Sequence, residues 1–306
     1  MSDKHVIVGA GPVGTELATL LAEAGEHVTI VTRSGRGIEH AAVTRVAVDA
    51  SDPGALSAVA DGAAALYNCA NPADYTTWGD VWPPLAASLL DVARKCGAVL
   101  VTAASLYPYG PVDVPMVESM PDVATDKKGR IRAGMWADAL AAHQAGEIRA
   151  VEVRGSDYMG TGIGQNGHLS RNLPRAFAGK GVRVLGNADM PHSWTDVRDM
   201  ARALVAVAEN ESAWGRVWHA PTNAPRTQRE ALADVLAAAG KPPVSVKPLP
   251  MPVMRLVGRF NPMVRELLDL SYQFTRPYVL DSGAIESEFG LEPTPWDEVC
   301  RRTAAG

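Results

Sequence analysis

The feature that most constrains this chain is a glycine turn held between two short apolar runs. His5-Val6-Ile7-Val8 leads into Gly9-Ala10-Gly11-Pro12-Val13-Gly14, and Leu17, Leu20, Leu21 and Ala24 then recur at helical spacing until Gly25. A second run, His27-Val28-Thr29-Ile30-Val31, follows at once. Strand, glycine turn, helix and strand thus occupy about 30 residues, the setting in which G-x-G-x-x-G binds a dinucleotide. Gly9 permits the tight turn, Gly11 lets the backbone approach a pyrophosphate, and Gly14 lets the helix pack closely on the strand. Pro12 and Val13 complete a helix N-terminus whose free N–H groups and dipole favour phosphate.

The end of the second strand bears on which dinucleotide fits. An NAD site places an acid there for the ribose hydroxyls. Here the chain reads Thr32-Arg33-Ser34-Gly35-Arg36, with no acid until Glu39. A guanidinium fork suits a 2′-phosphate in charge and in bidentate geometry. Arg33 and Ser34 are therefore the expected 2′-phosphate contacts, and NADP(H) is expected ahead of NAD(H). A solvated arginine loop is the other reading of the same residues.

Apolar strands keep alternating with helical stretches: Arg45–Val48, then Ala55–Ala60; Ala64–Tyr67, then Pro83–Cys96; then Gly97–Thr102. Such alternation predicts an α/β fold, a doubly wound parallel Rossmann sheet. Ligands of such sheets lie at the carboxyl ends of the strands. Asp49 and Ala50, Ala70 and Asn71 in the Asn68–Asn71 turn, and the segment from Thr102 are therefore expected on the cofactor side. Beyond residue 155 the chain becomes rich in Gly, Asn and Pro. Residues 1–155, with 191–220 returning to them, read as the dinucleotide domain; 156–190 and 221–306 read as a smaller discontinuous substrate-binding cap.

Composition narrows the remaining classes. A net charge of −5 over 306 residues gives no general attraction to nucleic acid or acidic membranes. Three scattered cysteines fit a reducing compartment and neither a disulfide framework nor a zinc site. No His, Cys, Asp or Glu cluster has metal-ligand spacing. No apolar run approaches the roughly 18 residues of a membrane span, and Met1-Ser2-Asp3-Lys4 leads straight into a strand. Cytoplasm is the expected location, with a small molecule as the partner of a monomer or homodimer.

Several later segments carry a family pattern in order. They are Leu100-Val101-Thr102-Ala103-Ala104-Ser105-Leu106-Tyr107, Val114–Ser119, Arg154–Gly160, His192–Ala201 and Leu291–Trp296. With the glycine turn, Asp49 and the Asn68–Asn71 turn, the chain resembles the extended short-chain dehydrogenase/reductases, the sugar-nucleotide epimerase and dehydratase relatives. The resemblance implies a nicotinamide cofactor, Asp49 against the adenine, and a catalytic Ser or Thr near Ala103, with Thr102 adjacent.

The departures are specific. The family's T-G-x-x-G-x-x-G turn is a plain dinucleotide turn here, and its Y-x-x-x-K pair is missing. Residues 127–142 hold no tyrosine, and the matching positions fall on Gly129 and Ala133, or on Met135 and Ala139. Tyr107 or Tyr109, just beyond a strand end, is then the candidate proton donor, Tyr107 foremost, with Lys128 and Arg132, four apart on one helical face, able to supply the cation that would lower its pKa. The alternative has Tyr107 packed against the cap and both cations solvated. Tyr109, Asp157 and Tyr158 are expected near substrate, while His168 and His192 read as surface or hydrogen-bonded residues. Trp78 and Trp82 read as core or lid packing. An NADP(H)-dependent oxidoreductase acting on a carbonyl or alcohol is the leading expectation. A redox-neutral epimerase or lyase that retains its cofactor, and a non-catalytic NADP(H) sensor, are the alternatives.

Overall fold

A computed structural model describes residues 3–306. The N-terminal portion alternates as the sequence predicts: β1 (Lys4–Val8), α1 (Pro12–Glu23), β2 (His27–Thr32), β3 (Val43–Ala47), α2 (Pro53–Ala60), β4 (Ala65–Asn68), α3 (Trp78–Cys96), β5 (Val99–Ser105), α4 (Lys127–Gln144) and β6 (Arg149–Gly155). Then come β7 (Asp157–Met159), α5 (Leu173–Phe177), β8 (Val182–Val184), β9 (Trp194–Asp196), α6 (Val197–Glu209) and β10 (Val217–His219). The last part carries α7 (Gln228–Ala238), β11 (Val246–Pro248), α8 (Met251–Gly258), α9 (Pro262–Asp269), α10 (Tyr272–Thr275), α11 (Gly283–Phe289) and α12 (Trp296–Ala305).

Seven parallel strands form the central sheet in the order β10-β6-β5-β4-β1-β2-β3. Strand order reverses at β1/β4, so a crevice opens beyond their carboxyl ends. Alternate residues feed opposite faces. Ile7, Tyr67, Val101 and Val153 pack with Leu17 and Leu21 of α1 and Leu204 and Val207 of α6. Val6, Leu66, Leu100 and Ala150 pack with Leu56, Leu89, Val92 and Trp136 of α2, α3 and α4. Both faces are covered, which accounts for the near-continuous apolar runs in the inner strands.

β5 and α3 run well beyond their predicted bounds. β5 continues past Thr102 because Ala103, Ala104 and Ser105 pair in register with Val153, Arg154 and Gly155; a small-residue stretch carries no strand propensity to announce this. α3 starts at Trp78, ahead of Pro83 and Pro84. Burial of Trp78 and Trp82 in the core offsets the backbone bonds those prolines cannot make.

A second core joins Leu173, Val182, Val184 and Trp194 to Leu232, Leu236 and Val299. Within it β8 pairs with β11, and β7 pairs with β9 near the central sheet. The closing helix α12 is fastened to both regions. Arg302 Nη2 lies 2.6 Å from Glu16 Oε1 on α1, and Thr303 Oγ1 accepts from the Gly160 amide at 2.8 Å. α8 and α9 form a hairpin whose Gly258 lies close to Leu268, and α9 rests on the turn Tyr75–Thr77. Among the described residues, no helix is long and apolar enough to cross a membrane.

Candidate active site

The carboxyl ends of β1 to β5 assemble the residues picked out for the cofactor. Gly9 has φ +104°, and a Cβ on it would lie 2.8 Å from the Cys69 carbonyl oxygen, so only glycine fits between β1 and the β4 loop. A Cβ on Gly14 would sit 2.1 Å from the Gly9 carbonyl oxygen, which sets the close approach of α1. Gly11 faces open space, with no atom within 4 Å of that direction. It is also the N-cap of α1, a helix with no side-chain cap and no acid in its first turn. By contrast Asp52, Asp126, Asp196 and Thr227 cap α2, α4, α6 and α7. The first amides of α1 are thus left for an anionic ligand, and the turn Gly9–Gly14 fits a pyrophosphate.

Arg33 and Ser34 are exposed just past the end of β2, and Ala50 is buried past β3. Asp49 stands beside them. Its Oδ1 accepts from Ser51 Oγ at 2.7 Å and from the Ser51 amide at 3.0 Å, and these bonds, aided by Arg33, hold its carboxyl below the usual range. Ala70 is half-buried and Asn71 exposed past β4, where the Asn68 side chain accepts from the Ala70 amide at 3.3 Å.

The expected catalytic residues are placed differently from one another. Thr102 lies in mid-strand and lines a cavity of about 20 Å³ with Asn68, Trp136 and Glu152, beneath α3 and α4. The residue at the carboxyl end of β5 is instead Ser105, whose buried hydroxyl has no hydrogen-bond partner. Its signal in the sequence was the strand itself, once the strand is carried to its true end.

Tyr107 is at the site, but its hydroxyl meets that of Tyr75 at 3.0 Å. Burial, with Tyr75 and Asp157 adding to it, pushes the Tyr107 phenol well up. A phenol lowered by a cation is not what the site holds, because burial and the neighbours Tyr75, Asp157 and Tyr278 all disfavour the phenolate.

Lys128 is not solvated. It is fully buried, with Nζ 2.5 Å from Glu266 and 3.7 Å from Asp269 of α9, and 5.8 Å from the centre of the Tyr75 ring. Arg132, one turn on, is buried too. It donates to the Ala103 carbonyl at 2.8 Å and lies over the Trp82 ring at 4.5 Å. At Gly129, one of the matching positions, a Cβ would lie 2.3 Å from Ala124 Cβ and 2.6 Å from the Tyr107 carbonyl oxygen, so no larger side chain fits there. The Asp126 side chain caps α4 by accepting from the Gly129 amide at 2.8 Å, which fixes the register and turns Lys128 and Arg132 inward. An aspartate before a helical run is a readable cap, and it was the available signal for that face.

Tyr109, expected near substrate, is fully buried and its hydroxyl meets His219 Nε2 at 2.8 Å. His219 Nδ1 donates to the Asp281 carbonyl at 2.7 Å, so Nε2 accepts from Tyr109 and the pair is closed on itself. Tyr158 is half-buried on β7, its phenol pushed up by burial first. Asp157 adjoins it and meets His192 Nε2 at 2.8 Å. His192 is buried, not on the surface, and its ring stacks on Phe274 at 5.1 Å; His168 stacks on Phe274 at 3.7 Å. Burial raises the Asp157 carboxyl, but the hydrogen bond and charge of His192, with His168 and Arg171, outweigh it and hold the group below its usual range. Tyr75, His192 and Tyr278, whose ring lies 5.3 Å from that of His192, were missed with Ser105 as site residues. The first three arrive from separated segments, and nothing local marks them.

A sequence profile described as the NAD dependent epimerase/dehydratase family matches residues 5–219. No curated protein matches the chain's sequence. Solved structures match its fold. A dTDP-glucose 4,6-dehydratase from Bacillus anthracis in complex with NAD has TM-score 0.80 at 16% identity, over 99% of this chain and 96% of that one. A UDP-glucuronic acid 4-epimerase from Bacillus cereus in complex with NAD has TM-score 0.80 at 13% identity, over 99% and 97%. A dTDP-glucose 4,6-dehydratase from Streptomyces venezuelae with NAD and TYD bound has TM-score 0.81 at 19% identity, over 99% and 96%.

Proposed function

We propose, starting from the fact that this chain belongs to the NAD dependent epimerase/dehydratase family, that it interconverts an alcohol and a carbonyl of a small molecule with Lys128 as the proton-handling group. The observation that carries this reading is the buried pair Lys128 and Arg132, four residues apart on the inward face of α4. Their spacing equals that of the family's missing Tyr and Lys. A nicotinamide dinucleotide held in the Gly9–Gly14 turn would supply the hydride-transfer chemistry. The protein then has one proton to manage.

Lys128 in its ammonium form donates that proton to the substrate oxygen as the carbonyl is reduced, and its amine recovers it in the reverse direction. Ser105, with a hydroxyl free of partners, donates a hydrogen bond to the same oxygen. Arg132 stays one turn behind, held by the Ala103 carbonyl. Tyr75 and Tyr107, both held protonated by burial, wall the site as neutral donors.

The cofactor in this reading is NADP(H), with Arg33 and Ser34 on its 2′-phosphate and Gly9, Gly11, Pro12, Val13 and Gly14 around its pyrophosphate. Asp49, Ala50, Ala70 and Asn71 line the remainder. Asp157 and Tyr158 face the substrate; Tyr109 is withdrawn from that role. A second reading is favoured by the family and by solved neighbours that hold NAD: a redox-neutral epimerase or dehydratase that retains its dinucleotide.

The test is to incubate the purified protein and its Lys128→Met variant with carbonyl and alcohol metabolites, following cofactor fluorescence and product mass. Stoichiometric NADPH loss in the wild type alone supports the net oxidoreductase. Product without cofactor loss supports the redox-neutral enzyme. Equal turnover by the variant removes Lys128 from the mechanism.

A further inference from the structure

Helix α8 presents an apolar stripe to the outside. Val253, Leu256 and Val257 on α8 and Phe260 in the turn just past its end follow one another at i, i+3, i+4 and i+7, and they are 54, 59, 41 and 83% exposed. Among the described residues the other exposed large hydrophobics are Val81, Val114 and Val123, far from this stripe in sequence. The opposite face of α8 is used differently, with Gly258 against Leu268 of α9 and with Met251 and Met254 half-buried. A helix of a water-facing hairpin has a polar outer face; this one is apolar on both sides.

The charge around the stripe has one sign. Arg255, Arg259 and Arg265 are all exposed, and residues 250–265 contain no acid. The first acid beyond them, Glu266, turns inward to Lys128. The chain as a whole carries −5, so this face stands apart from the rest of the molecule. A short convex helix with an apolar ridge and flanking guanidinium groups matches the interface of an anionic bilayer. There apolar side chains enter the acyl boundary while cations pair with lipid phosphates. A protein partner would need a concave apolar surface lined with acid.

We propose that α8 docks this protein flat on an anionic phospholipid surface, with Val253, Leu256, Val257 and Phe260 inserted and Arg255, Arg259 and Arg265 on the phosphates. The contact is reversible and salt-sensitive, because one short helix supplies a small inserted area.

The test is flotation of the full chain with vesicles of phosphatidylcholine alone and of phosphatidylcholine with phosphatidylglycerol. The proposal expects the protein to float with the anionic vesicles, to stay behind with the neutral ones, and to be released by salt. The Leu256→Ser/Phe260→Ser variant is expected to lose flotation. Arg255→Gln/Arg259→Gln is expected to bind on the order of 30-fold more weakly, from about 1 kcal/mol per basic residue at such a surface. All four positions are exposed, so an unchanged melting temperature shows that the variants remain folded. Failure to float with anionic vesicles overturns the proposal, as does equal flotation with both kinds. So does a concentration-dependent dimer, seen by light scattering, that the Phe260→Ser change abolishes, since the stripe would then belong to a second copy of the chain.

Discussion

His192 Nε2 lies 2.8 Å from Asp157 Oδ2 while its Nδ1 lies 3.1 Å from the Gln273 carbonyl oxygen, so both ring nitrogens face acceptors. A carbonyl never donates, so Nδ1 carries a proton, and the bond to Asp157 requires a second one within the pair. The hydrogen bond and charge of His192 hold the Asp157 carboxyl below its usual range. Removing one partner strands the other in an aromatic surrounding. Asp157→Asn is expected to cost about 2–3 kcal/mol in urea unfolding, and a double-mutant cycle with His192→Gln should show coupling of at least about 1 kcal/mol. Additive effects would mean that the two residues act separately. A folded pKa below the unfolded one makes this contribution present above about pH 4, lost as pH falls further.

Arg33→Ala should weaken NADPH binding by about 1.5–3 kcal/mol and leave NADH binding almost unchanged, the range for a hydrogen bond to a charged group. Calorimetric titration with each dinucleotide checks this. Equal losses for both would assign Arg33 to the pyrophosphate or to the fold. Tight NADH binding in the unmodified protein with none for NADPH would reverse the cofactor preference.

The three turn glycines should separate fold from ligand. Gly14→Ala places a Cβ 2.1 Å from a carbonyl oxygen and is expected to destabilise the protein by about 1–3 kcal/mol. Gly11→Ala meets open space, so its melting temperature should hold while dinucleotide affinity falls. Unchanged affinity in Gly11→Ala would move the pyrophosphate away from this turn.

Lys128→Met is expected to reduce turnover by about 10²–10⁴-fold, the usual weight of a positioned acid or base, with dinucleotide affinity preserved. Lys128→Tyr restores the family's phenol at the same helical position and should recover part of the rate with a shifted pH profile. No recovery together with normal folding would count against the equivalence of the two positions.

Acid should loosen the fold near pH 5. Burial pushes the imidazoles of His168 and His219 down to about 4, from an ordinary 6.5, so their contribution is complete above pH 6.5 and is lost as pH falls towards 4. Asp196 acts in the opposite sense: burial raises it to about 6 from 3.8, and its contribution fades as pH rises through 6. Near pH 5 the unfolded chain therefore binds about one proton more than the folded one, a slope of about 1.4 kcal/mol per pH unit from these groups. His219→Gln should flatten it, as chemical denaturation at several pH values would show.

The sheet was legible because glycine turns and apolar runs are local signals. Val6, Ile7, Leu17 and Leu21 declare their faces within one strand and one helix. The cofactor-side loops followed from topology once the strands were known. The proton-handling face was not legible in the same way. Lys128 is buried by Glu266 and Asp269, more than a hundred positions along the chain, and an isolated α4 would solvate it. His192 reads as a polar-loop histidine until Phe274 and Gln273 close over it. Tyr75 acquires its role only through the hydroxyl of Tyr107. Each of these depends on a segment that no local pattern places there.

The salt bridge between Glu16 and Arg302 joins residues 286 positions apart. A ribosome releases Glu16 long before Arg302 exists, and α6, which covers α1 on the same side, also emerges late. The first helix of this molecule therefore spends most of translation with an uncovered apolar flank. Arg302 on α12 acts as a clasp on α1, and removing its side chain should be felt first at α1.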